Sequence, residues 1–229
     1  MVMQERAART RAALVRAAVV EFDRNGYDGT SLAKISNAAG ISMGALTFHF
    51  SSKGALADAV QEEGRALMDA AFEQAMSRPA PALETVVTGS LALTGLIEEN
   101  TVVRSAMRLM RERSKADCWT DLWLPAVRQL LKEASAHGQL RTDAHLEDVV
   151  ALTEILTAGG EDYVRRRLET GTCNRSATAQ LERVWRLVMD AICAPTARGN
   201  VTVRRTGRPA ADLSETARGD APGKAAQPR

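Results

Sequence analysis

The chain has 229 residues, of which 45% are hydrophobic and 25% charged, and its formal net charge is +2. That apolar content can bury a core in one large domain or two modest ones, while no apolar run approaches the roughly 20 residues that span a bilayer. The basic start "MVMQERAARTRAAL" is followed by no hydrophobic secretory segment, so we expect a soluble, cytoplasmic protein without a membrane partner.

Apolar residues recur at helical spacing along nearly the whole chain, and we find no convincing stretch of strict alternation. The pattern therefore predicts an all-α protein. A first helix is predicted to end at "NGYDG", residues 25–29, because glycine is common after the last helical turn. Thr30 or Ser31 can cap a second helix, which Gly40 ends.

Ser42 can cap a very short third helix that runs to about His49, and a fourth helix is predicted over about 53–77. The prolines of "SRPAPA", residues 77–82, rule out a continuing helix and indicate a linker. Five further helices follow, at about 82–99, 101–114, 119–137, 145–169 and 176–193. Residues 195–229 have almost no large apolar side chain, which predicts a disordered tail.

A short helix, a glycine turn and a second short helix make a helix-turn-helix, here at about residues 31–50. The second helix of such a motif can lie in the major groove of DNA. Hydroxyl, amino and backbone N–H groups at helix N-termini can meet phosphates. Polar residues at these places are Thr30, Ser31, Ser42 and Lys53. Three small core helices with ordinary caps are the alternative, since residues 1–60 carry only seven Lys or Arg against five Asp or Glu.

The segment "NGYDGTSLAKISNAAGISMGALTFHFSSKGAL" resembles the TetR family of transcriptional regulators, whose pattern is roughly G-[YF]-x-x-T-[ST]-x-x-x-I-x-x-x-A-G-[VI]-[ST]-x-G-x-[LI]-Y-x-[HY]-F-x-[SN]-K-E-x-L. The matching positions are Gly26, Tyr27, Thr30, Ser31, Ile35, Ala39, Gly40, Ile41, Ser42, Gly44, Leu46, His49, Phe50, Ser52, Lys53 and Leu56. "GALTFHFSSK" is similar to the "GALYFHF-SK" of the actinobacterial γ-butyrolactone receptors, a branch of that family.

The resemblance implies two domains of about nine helices in all. The first, 1–52, would be a three-helix helix-turn-helix DNA-binding domain, and the second, 53–194, a helical ligand-binding and dimerisation domain. It also implies a set of DNA-contacting residues: Arg9, Thr30, Ser31, Ser42, Met43, Gly44, Thr47, His49 and Lys53.

Three positions depart from the family pattern. Thr47 replaces the tyrosine whose hydroxyl usually reaches the DNA backbone, Met43 stands where the receptors often have a lysine, and Gly54 replaces the usual glutamate. We therefore expect altered rather than absent DNA contacts, with part of the affinity carried by arginines of an N-terminal arm. These arginines are Arg6, Arg9 and Arg11.

The second domain has candidate ligand contacts. "LWLPAVRQLLKEASAHGQL" is similar to a receptor segment in which a tryptophan precedes a helix ending in "GEL" or "GQL", which implies that Trp123 contacts the ligand. "LTAGG" resembles the receptors' "FTGVQ" and implies a ligand-facing Thr157, with Trp119 as the third candidate. Tryptophan can stack on a ring and donate one N–H. From the residues alone, tryptophans at helical spacing are more simply core.

The last two helices are predicted to form a dimer interface. A helical stripe on the final helix consists of Leu181, Val184, Trp185, Val188 and Ile192, and Gly159 and Gly160 would let a neighbouring helix approach closely. The resemblance implies a homodimer joined by a four-helix bundle and matched to a palindromic operator. The interface residues would be Gly159, Leu181, Trp185 and Val188. An intramolecular core is the alternative for this stripe.

We find no catalytic constellation, and we expect neither an enzyme nor a metal or cofactor. The three histidines, His49, His137 and His145, lack partners at zinc spacing, and no G-x-S-x-G, glycine-rich phosphate loop or H-E-x-x-H is present. The cysteines Cys118, Cys173 and Cys193 are odd in number and far apart, which fits reduced thiols.

The arginines at 104, 108 and 111 recur at helical spacing and are interpreted as a solvated helix surface. The sequence as a whole predicts a repressor that binds double-stranded operator DNA and leaves it when a small effector binds, such as a γ-butyrolactone or a related butenolide or furan. A multidrug-responsive repressor of an efflux gene is the alternative within the same fold. A helical enzyme or protein-interaction module is the alternative from another class.

Overall fold

The computed structural model describes residues 2–113, 119–171 and 176–197. Within these ranges the chain folds into nine α-helices and one short 3₁₀ helix, and β-structure is limited to an isolated antiparallel bridge between Leu140 and Cys193. The helices are α1 (Val2–Asn25), α2 (Leu32–Ala39), α3 (Met43–His49), α4 (Lys53–Met76), α5 (Ala82–Glu99), α6 (Thr101–Arg113), the 3₁₀ helix (Trp119–Leu122), α7 (Leu124–Ala136), α8 (Leu146–Thr170) and α9 (Ala177–Ile192). The all-α prediction of about nine helices is confirmed.

Two elements differ from the sequence-based expectation. The predicted helix over 119–137 is divided, because a 3₁₀ turn ends at Leu122 and α7 begins at Leu124 with Pro125 in its first turn. Proline can start a helix there but has no N–H to continue one. The N-terminal arm predicted for Arg6, Arg9 and Arg11 is instead part of α1, which begins at Val2.

Helices α1 to α3 and the start of α4 enclose a small core, which we call the head. Its fully buried side chains include Leu14, Phe22, Ile35 and Leu46, and Leu109 of α6 joins them. Gly40 adopts a φ of +64° between α2 and α3, a conformation that costs glycine little and other residues more. The predicted glycine turn is therefore present, and it sets α3 across α2.

The larger core surrounds α5, which packs against α4, α6, α7, α8 and α9. Eleven of the 18 residues of α5 are buried and only Glu99 is exposed, as expected for a helix with neighbours on several sides. Gly160 of α8 lies so close to α5 that a Cβ there would stand 3.0 Å from the Thr94 hydroxyl. The close approach predicted for the glycine pair is thus made by Gly160, and it is made within the protomer.

Some predictions lie outside the described residues, namely Cys118, Cys173 and the tail beyond 197. Cys193 is buried. The proposed division between 1–52 and 53–194 stays a prediction, since α4 packs against both α1 and α5. Across the residues that the structure describes, no helix combines the length and the apolar character that a membrane crossing requires.

Candidate functional site

Serine residues cap the N-termini of α2, α3 and α4. The hydroxyls of Ser31, Ser42 and Ser52 accept the backbone N–H of Lys34, Ala45 and Ala55 at 3.2, 3.3 and 3.0 Å. All three serines are exposed, so the helix N-termini they cap face solvent. Exposed N-termini of this kind attract anions through their free N–H groups. Ser31 and Ser42 are therefore placed as the sequence predicts, although a DNA contact from them stays a prediction.

The short helix α3 has one buried side and one open side. Leu46 is fully buried in the head, whereas Met43 is 41% exposed and Phe48 is 81% exposed. Gly44 and Thr47 share the open side, and a Cβ built on Gly44 would meet no atom within 4 Å. The fold of the head therefore does not itself require glycine at position 44, which leaves room for another molecule to come close.

Thr47 and His49, two predicted DNA contacts, are held by local interactions. The Thr47 hydroxyl donates to the Gly44 carbonyl at 3.1 Å within the helix. The His49 ring is partly buried and stands edge-on to the Phe48 ring, with centroids 5.2 Å apart. Thr47 is exposed, so turning its hydroxyl outward would break only this weak intrahelical bond.

The structure contradicts the prediction that Thr30 contacts DNA. Its side chain is only 3% exposed, and its hydroxyl donates to the carbonyls of Gly26 at 2.7 Å and Glu21 at 3.1 Å. A hydroxyl that joins the end of α1 to the following turn cannot also reach a phosphate. The cap of α2 comes from Ser31 instead.

Lys53 has a structural role that the sequence did not indicate. Its ammonium donates to the carbonyls of Tyr27 at 2.9 Å and Thr30 at 3.1 Å, and it lies 4.1 Å from the centre of the Tyr27 ring. Two of its three N–H donors therefore hold the turn between α1 and α2 against the start of α4. A phosphate contact from the remaining donor stays a prediction.

Two exposed arginines lie in the first half of α1, on the surface of the head. Arg9 is exposed and pairs with Glu5 at 2.5 Å, while Arg11 stacks over the Phe50 ring at 5.1 Å. An exposed i,i+4 ion pair contributes little to stability and exchanges readily for another anion. The predicted DNA contact from Arg9 stays open, but it would come from a helix.

Sequence reasoning missed Phe48, the most exposed large apolar side chain on the described surface. A helical-period argument could have found it. Because consecutive residues of an α-helix differ by about 100°, position 48 lies about 200° away from Leu46, on the side opposite the core.

A second candidate site lies in the larger core, around two tryptophans. Trp119 and Trp123 are 7% and 4% exposed, and their ring centroids are 5.7 Å apart with the planes tilted by 45°. The Trp123 indole N–H is buried and has no hydrogen-bond partner among the residues that the structure describes. An unpaired buried donor costs about 1–3 kcal/mol, so this N–H is a place where a bound acceptor would be stabilised.

Thr157 belongs to a directional chain of buried hydrogen bonds between α9, α5 and α8. The Trp185 indole N–H donates to the Ser90 hydroxyl at 3.2 Å, and the Ser90 and Thr157 hydroxyls lie 2.8 Å apart. Thr157 in turn donates to the carbonyl of Thr153 at 2.8 Å. The Thr157 proton is therefore already used within α8. Among the described residues, the buried side-chain donors without a partner are the Trp123 indole N–H and the Ser105 hydroxyl.

The α6 arginines, predicted to form a solvated surface, differ in exposure: Arg111 is exposed, whereas Arg104 and Arg108 are partly buried. Arg104, Arg108 and Arg111 line a cavity of about 470 Å³ where α6 meets the end of α1 and the second half of α8. Arg108 donates to the Asp23 carbonyl at 2.7 Å, and Arg111 pairs with Glu161 of α8 at 2.6 Å. These side chains connect the head, α6 and α8.

Glu112 completes that connection. It accepts the backbone N–H of Tyr27 at 2.5 Å and the Arg108 guanidinium at 2.7 Å. Burial alone would raise the pKa of Glu112, but these two hydrogen bonds and the positive charges of Arg108 and Arg111 outweigh it and leave the pKa below its ordinary value. Gly26 lies against this pair, since a Cβ on it would stand 2.7 Å from the Glu112 carboxylate.

Glu98, at the end of α5, caps the beginning of α9. Its carboxylate accepts the N–H groups of Ala177 and Thr178 at 2.8 and 3.1 Å and the hydroxyls of Ser176 and Thr178 at 2.8 Å each. Burial acts to raise the pKa of Glu98, and the four hydrogen bonds together lower it below its ordinary value of 4.5. The charge also complements the N-terminal end of the α9 dipole.

The stripe predicted as a dimer interface faces the core of the protomer. Trp185 is fully buried and Leu181 is 7% exposed, so neither offers surface to a partner, and that prediction is wrong for both. They turn inward because α9 packs against α5 and α8. Val188 is partly buried, and Gly159 is exposed. The most exposed large apolar side chains of these helices are Ile155 and Leu187, which are 67% and 72% exposed.

Metal chemistry finds no support in the described ranges, where no group of three or more His, Cys, Asp or Glu side chains is placed to hold an ion.

Known proteins resemble this chain in its N-terminal segment and over most of its length. Residues 14–60 match the bacterial regulatory proteins of the tetR family. The chain is 27% identical over 198 residues to the A-factor receptor protein of Streptomyces griseus, an alignment that covers 85% of this chain and 68% of the relative.

Two solved structures resemble the fold. A γ-butyrolactone receptor described as ArpA-like is 24% identical, with a TM-score of 0.70 and coverage of 84% of this chain and 92% of that one. CprB of Streptomyces coelicolor, in complex with its biological operator sequence, is 24% identical, with a TM-score of 0.63 and coverage of 85% and 93%. The N-terminal segment thus matches the tetR family, and the chain as a whole resembles the A-factor receptor protein in sequence and the γ-butyrolactone receptors in fold.

Proposed function

We propose that this protein is a dimeric transcriptional repressor that binds a palindromic operator and leaves it when a small signalling molecule occupies the larger core. The observation that carries the proposal is the geometry of the head. A short helix with one fully buried side and one open side follows a positive-φ glycine turn, within a segment that matches the TetR family.

The DNA-binding part is supported by what surrounds α3. The exposed, serine-capped N-termini of α2, α3 and α4 offer N–H groups to phosphates, and the major groove of DNA is wide enough to admit an α-helix such as α3. A structure similar to this fold, that of CprB, contains its operator.

Dimerisation is supported by the outer surface of α8 and α9. These helices are antiparallel, since Arg141, just before α8, donates its N–H to the Ile192 carbonyl at the end of α9. Ile155 and Leu187 expose large apolar side chains on this helix pair. Gly159 has no side chain to hold a partner helix away from this surface. A two-fold axis through such a surface would bury the same patch of both copies and place two heads on one face of the duplex.

The effector is inferred from the chemistry of the larger core. An unpaired indole N–H at Trp123, beside the Trp119 ring, favours a mostly apolar molecule with one hydrogen-bond acceptor. The ring and carbonyl of a γ-butyrolactone, or of a related butenolide or furan, meet this description. The resemblance to the A-factor receptor points to the same class.

Coupling between the two sites is assigned to α6. Leu109 on this helix is part of the head core, while Met107 and Met110 are part of the larger core. A ligand that shifts α6 would therefore also shift the head, and the spacing of two heads would no longer match successive grooves. This is a population shift, and its size is set by the difference in effector affinity between the two states.

The proposal is tested by selecting sequences from random double-stranded DNA with the purified protein at low salt, then measuring release from the selected site. We expect a palindrome to be enriched and to dissociate when a γ-butyrolactone is added. Failure to enrich any sequence would exclude the operator-binding function. Release by many unrelated apolar or cationic compounds would instead favour the multidrug-responsive regulator.

A further inference from the structure

The recognition helix α3 lacks the side chains that usually read bases by hydrogen bonding. Its sequence is MGALTFH, without Arg, Lys, Asn, Gln, Asp or Glu. Paired hydrogen bonds to guanine come from Arg or Lys, those to adenine from Asn or Gln, and acceptors for cytosine from Glu or Asp. None of these contacts is available from α3. Its one threonine, Thr47, could bond to a base, but its hydroxyl donates to the Gly44 carbonyl within the helix.

Apolar side chains occupy the open side of the helix instead. Phe48 is 81% exposed and its ring meets the edge of the His49 ring. Met43 is 41% exposed and lies about 140° away around the helix, so the two side chains would face different base positions. Thr47 lies between them around the helix and adds a methyl group. An exposed phenyl ring gains free energy when another molecule covers it, so this ring is available for a contact outside the protein.

The major-groove edge of B-DNA presents one apolar group, the C5-methyl of thymine. A phenyl ring and a thioether that project from a groove-bound helix have the reach and polarity to pack on that methyl. Gly44 lets the helix approach closely between them, because no atom of the head fills the space of its missing side chain.

We propose that α3 reads its operator through thymine methyl groups, with Phe48 and Met43 as the residues that determine specificity. This inference rests on the operator binding proposed above. Each half-site would carry thymines at the positions that face these two side chains, and the rest of the affinity would come from phosphate contacts that carry no sequence information.

The experiment replaces thymine by deoxyuridine, which keeps base pairing and removes only the C5-methyl. With the selected operator as probe, each replaced thymine that faces Phe48 or Met43 should weaken binding by about four-fold, the value of one buried methyl group. Thymines outside the α3 footprint should tolerate the replacement. Restoring the methyl as 5-methylcytosine opposite guanine at the same position should recover part of the loss relative to cytosine.

Variants of the protein connect the methyl effect to the two residues. Phe48→Ala should bind the thymine operator more weakly and should no longer distinguish thymine from deoxyuridine at its contacted position; Met43→Ala should do the same at another position. Both side chains are exposed, so circular dichroism and thermal unfolding should match the wild type. Val20→Ala, which trims an exposed apolar residue of α1, is the matched control and should keep full discrimination.

Salt dependence separates this contact from an electrostatic one. Removal of a phosphate contact reduces the slope of log affinity against log salt concentration, whereas removal of an apolar contact leaves that slope unchanged. Phe48→Ala should therefore lower affinity at every salt concentration by the same factor. An operator that binds equally with thymine or deoxyuridine throughout each half-site would overturn the inference while leaving operator binding intact, and a failure to select any operator would reject the proposed function itself.

Discussion

Glu112 of α6 accepts the backbone N–H of Tyr27 at 2.5 Å, although 85 residues separate them along the chain. Through this bond α6 holds the turn between α1 and α2 of the head. Arg108 donates to the same carboxylate and also to the Asp23 carbonyl. The end of α1 and the turn after it are therefore both hydrogen-bonded to neighbouring residues of α6.

We expect Glu112→Ala to loosen the head. The substitution removes the acceptor for Tyr27 and the partner of Arg108, and because the carboxylate is partly exposed the loss of stability should be about 1 kcal/mol. Glu112→Gln keeps an oxygen acceptor and serves as the matched control. Thermal unfolding measures stability, and hydrogen exchange of the Tyr27 amide measures the local contact. Equal protection in the alanine variant and the wild type would contradict the assigned contact.

Glu98 should make the stability of the larger domain depend on pH. A carboxyl whose pKa is lowered by folding stabilises the protein fully above its unfolded pKa and loses that contribution as pH falls through the lowered, folded value. Above pH 4.5, Glu98→Gln should therefore be less stable than the wild type, by about 1–2 kcal/mol. Urea unfolding at a series of pH values should show the difference shrinking below pH 4.5, and a difference that does not depend on pH would exclude the carboxylate cap.

Restoring a tyrosine at position 47 should strengthen operator binding. Thr47 is exposed on the open side of α3, and a longer side chain carries its hydroxyl outward toward the backbone of DNA. A net hydrogen bond contributes about 0.5–1.5 kcal/mol, so Thr47→Tyr should tighten binding by about two- to ten-fold in a gel-shift titration. Thr47→Phe is the control with the same ring and no hydroxyl. A gain of the same size in both variants would assign the effect to the ring.

Trp123→Phe should separate sensing from folding. The variant keeps an aromatic ring in the core and removes the unpaired N–H, so the protein without effector should lose little stability despite the smaller side chain. Release from the operator should then require about ten-fold more effector, since a hydrogen bond to the ligand is lost. Titration of the operator complex with a γ-butyrolactone measures this shift. An unchanged release curve would remove the Trp123 N–H from the ligand site.

Leu187→Glu should separate the two copies without unfolding either. The side chain is 72% exposed in the protomer, and a buried, unpaired carboxylate would be costly in a symmetric interface. Sedimentation should show a monomer with a normal helical spectrum and weakened operator binding. Met76→Glu, at an exposed apolar position near the end of α4, should remain a dimer. A dimeric Leu187→Glu protein would place the interface elsewhere.

Much of this architecture could be predicted from local patterns. Hydrophobic period, serine caps and the glycine at position 40 give α2, α3 and α4 nearly residue by residue, because each signal acts within one turn of its own helix. The division between the 3₁₀ helix and α7 could have been predicted too, since Pro125 is typical of the first turn of a helix.

The DNA-contact and dimer-interface residues were harder to predict, because the burial of a side chain depends on neighbouring helices that the pattern of its own helix does not reveal. Thr30 and Ser31 look equivalent as caps, but the turn places only one of them at the surface. The apolar stripe of α9 is a real amphipathic pattern, yet the same pattern suits a partner copy or the protein's own core. Only the position of α5 decides that Trp185 turns inward.

The charged side chains of α6 illustrate the same limit from the other direction. Arginines at helical spacing normally remain in water. Glu112, at i+4, indicates one partner of Arg108, but nothing near Arg108 in the sequence indicates the Asp23 carbonyl. Its partners on α1 become adjacent only when the head folds against α6. The same holds for Lys53, whose carbonyl acceptors lie more than 20 residues earlier in the chain.

Gly26 carries a consequence of its own. It holds a φ of +69° in the turn after α1, and a Cβ at this position would lie 2.7 Å from the Glu112 carboxylate and 2.8 Å from the Arg108 guanidinium. One missing methyl group thus serves two purposes, the shape of the turn and the seating of the head on α6. Any residue other than glycine would change both together, so the protein has no single-step route by which the angle of its reading head could be adjusted there while the attachment stays the same.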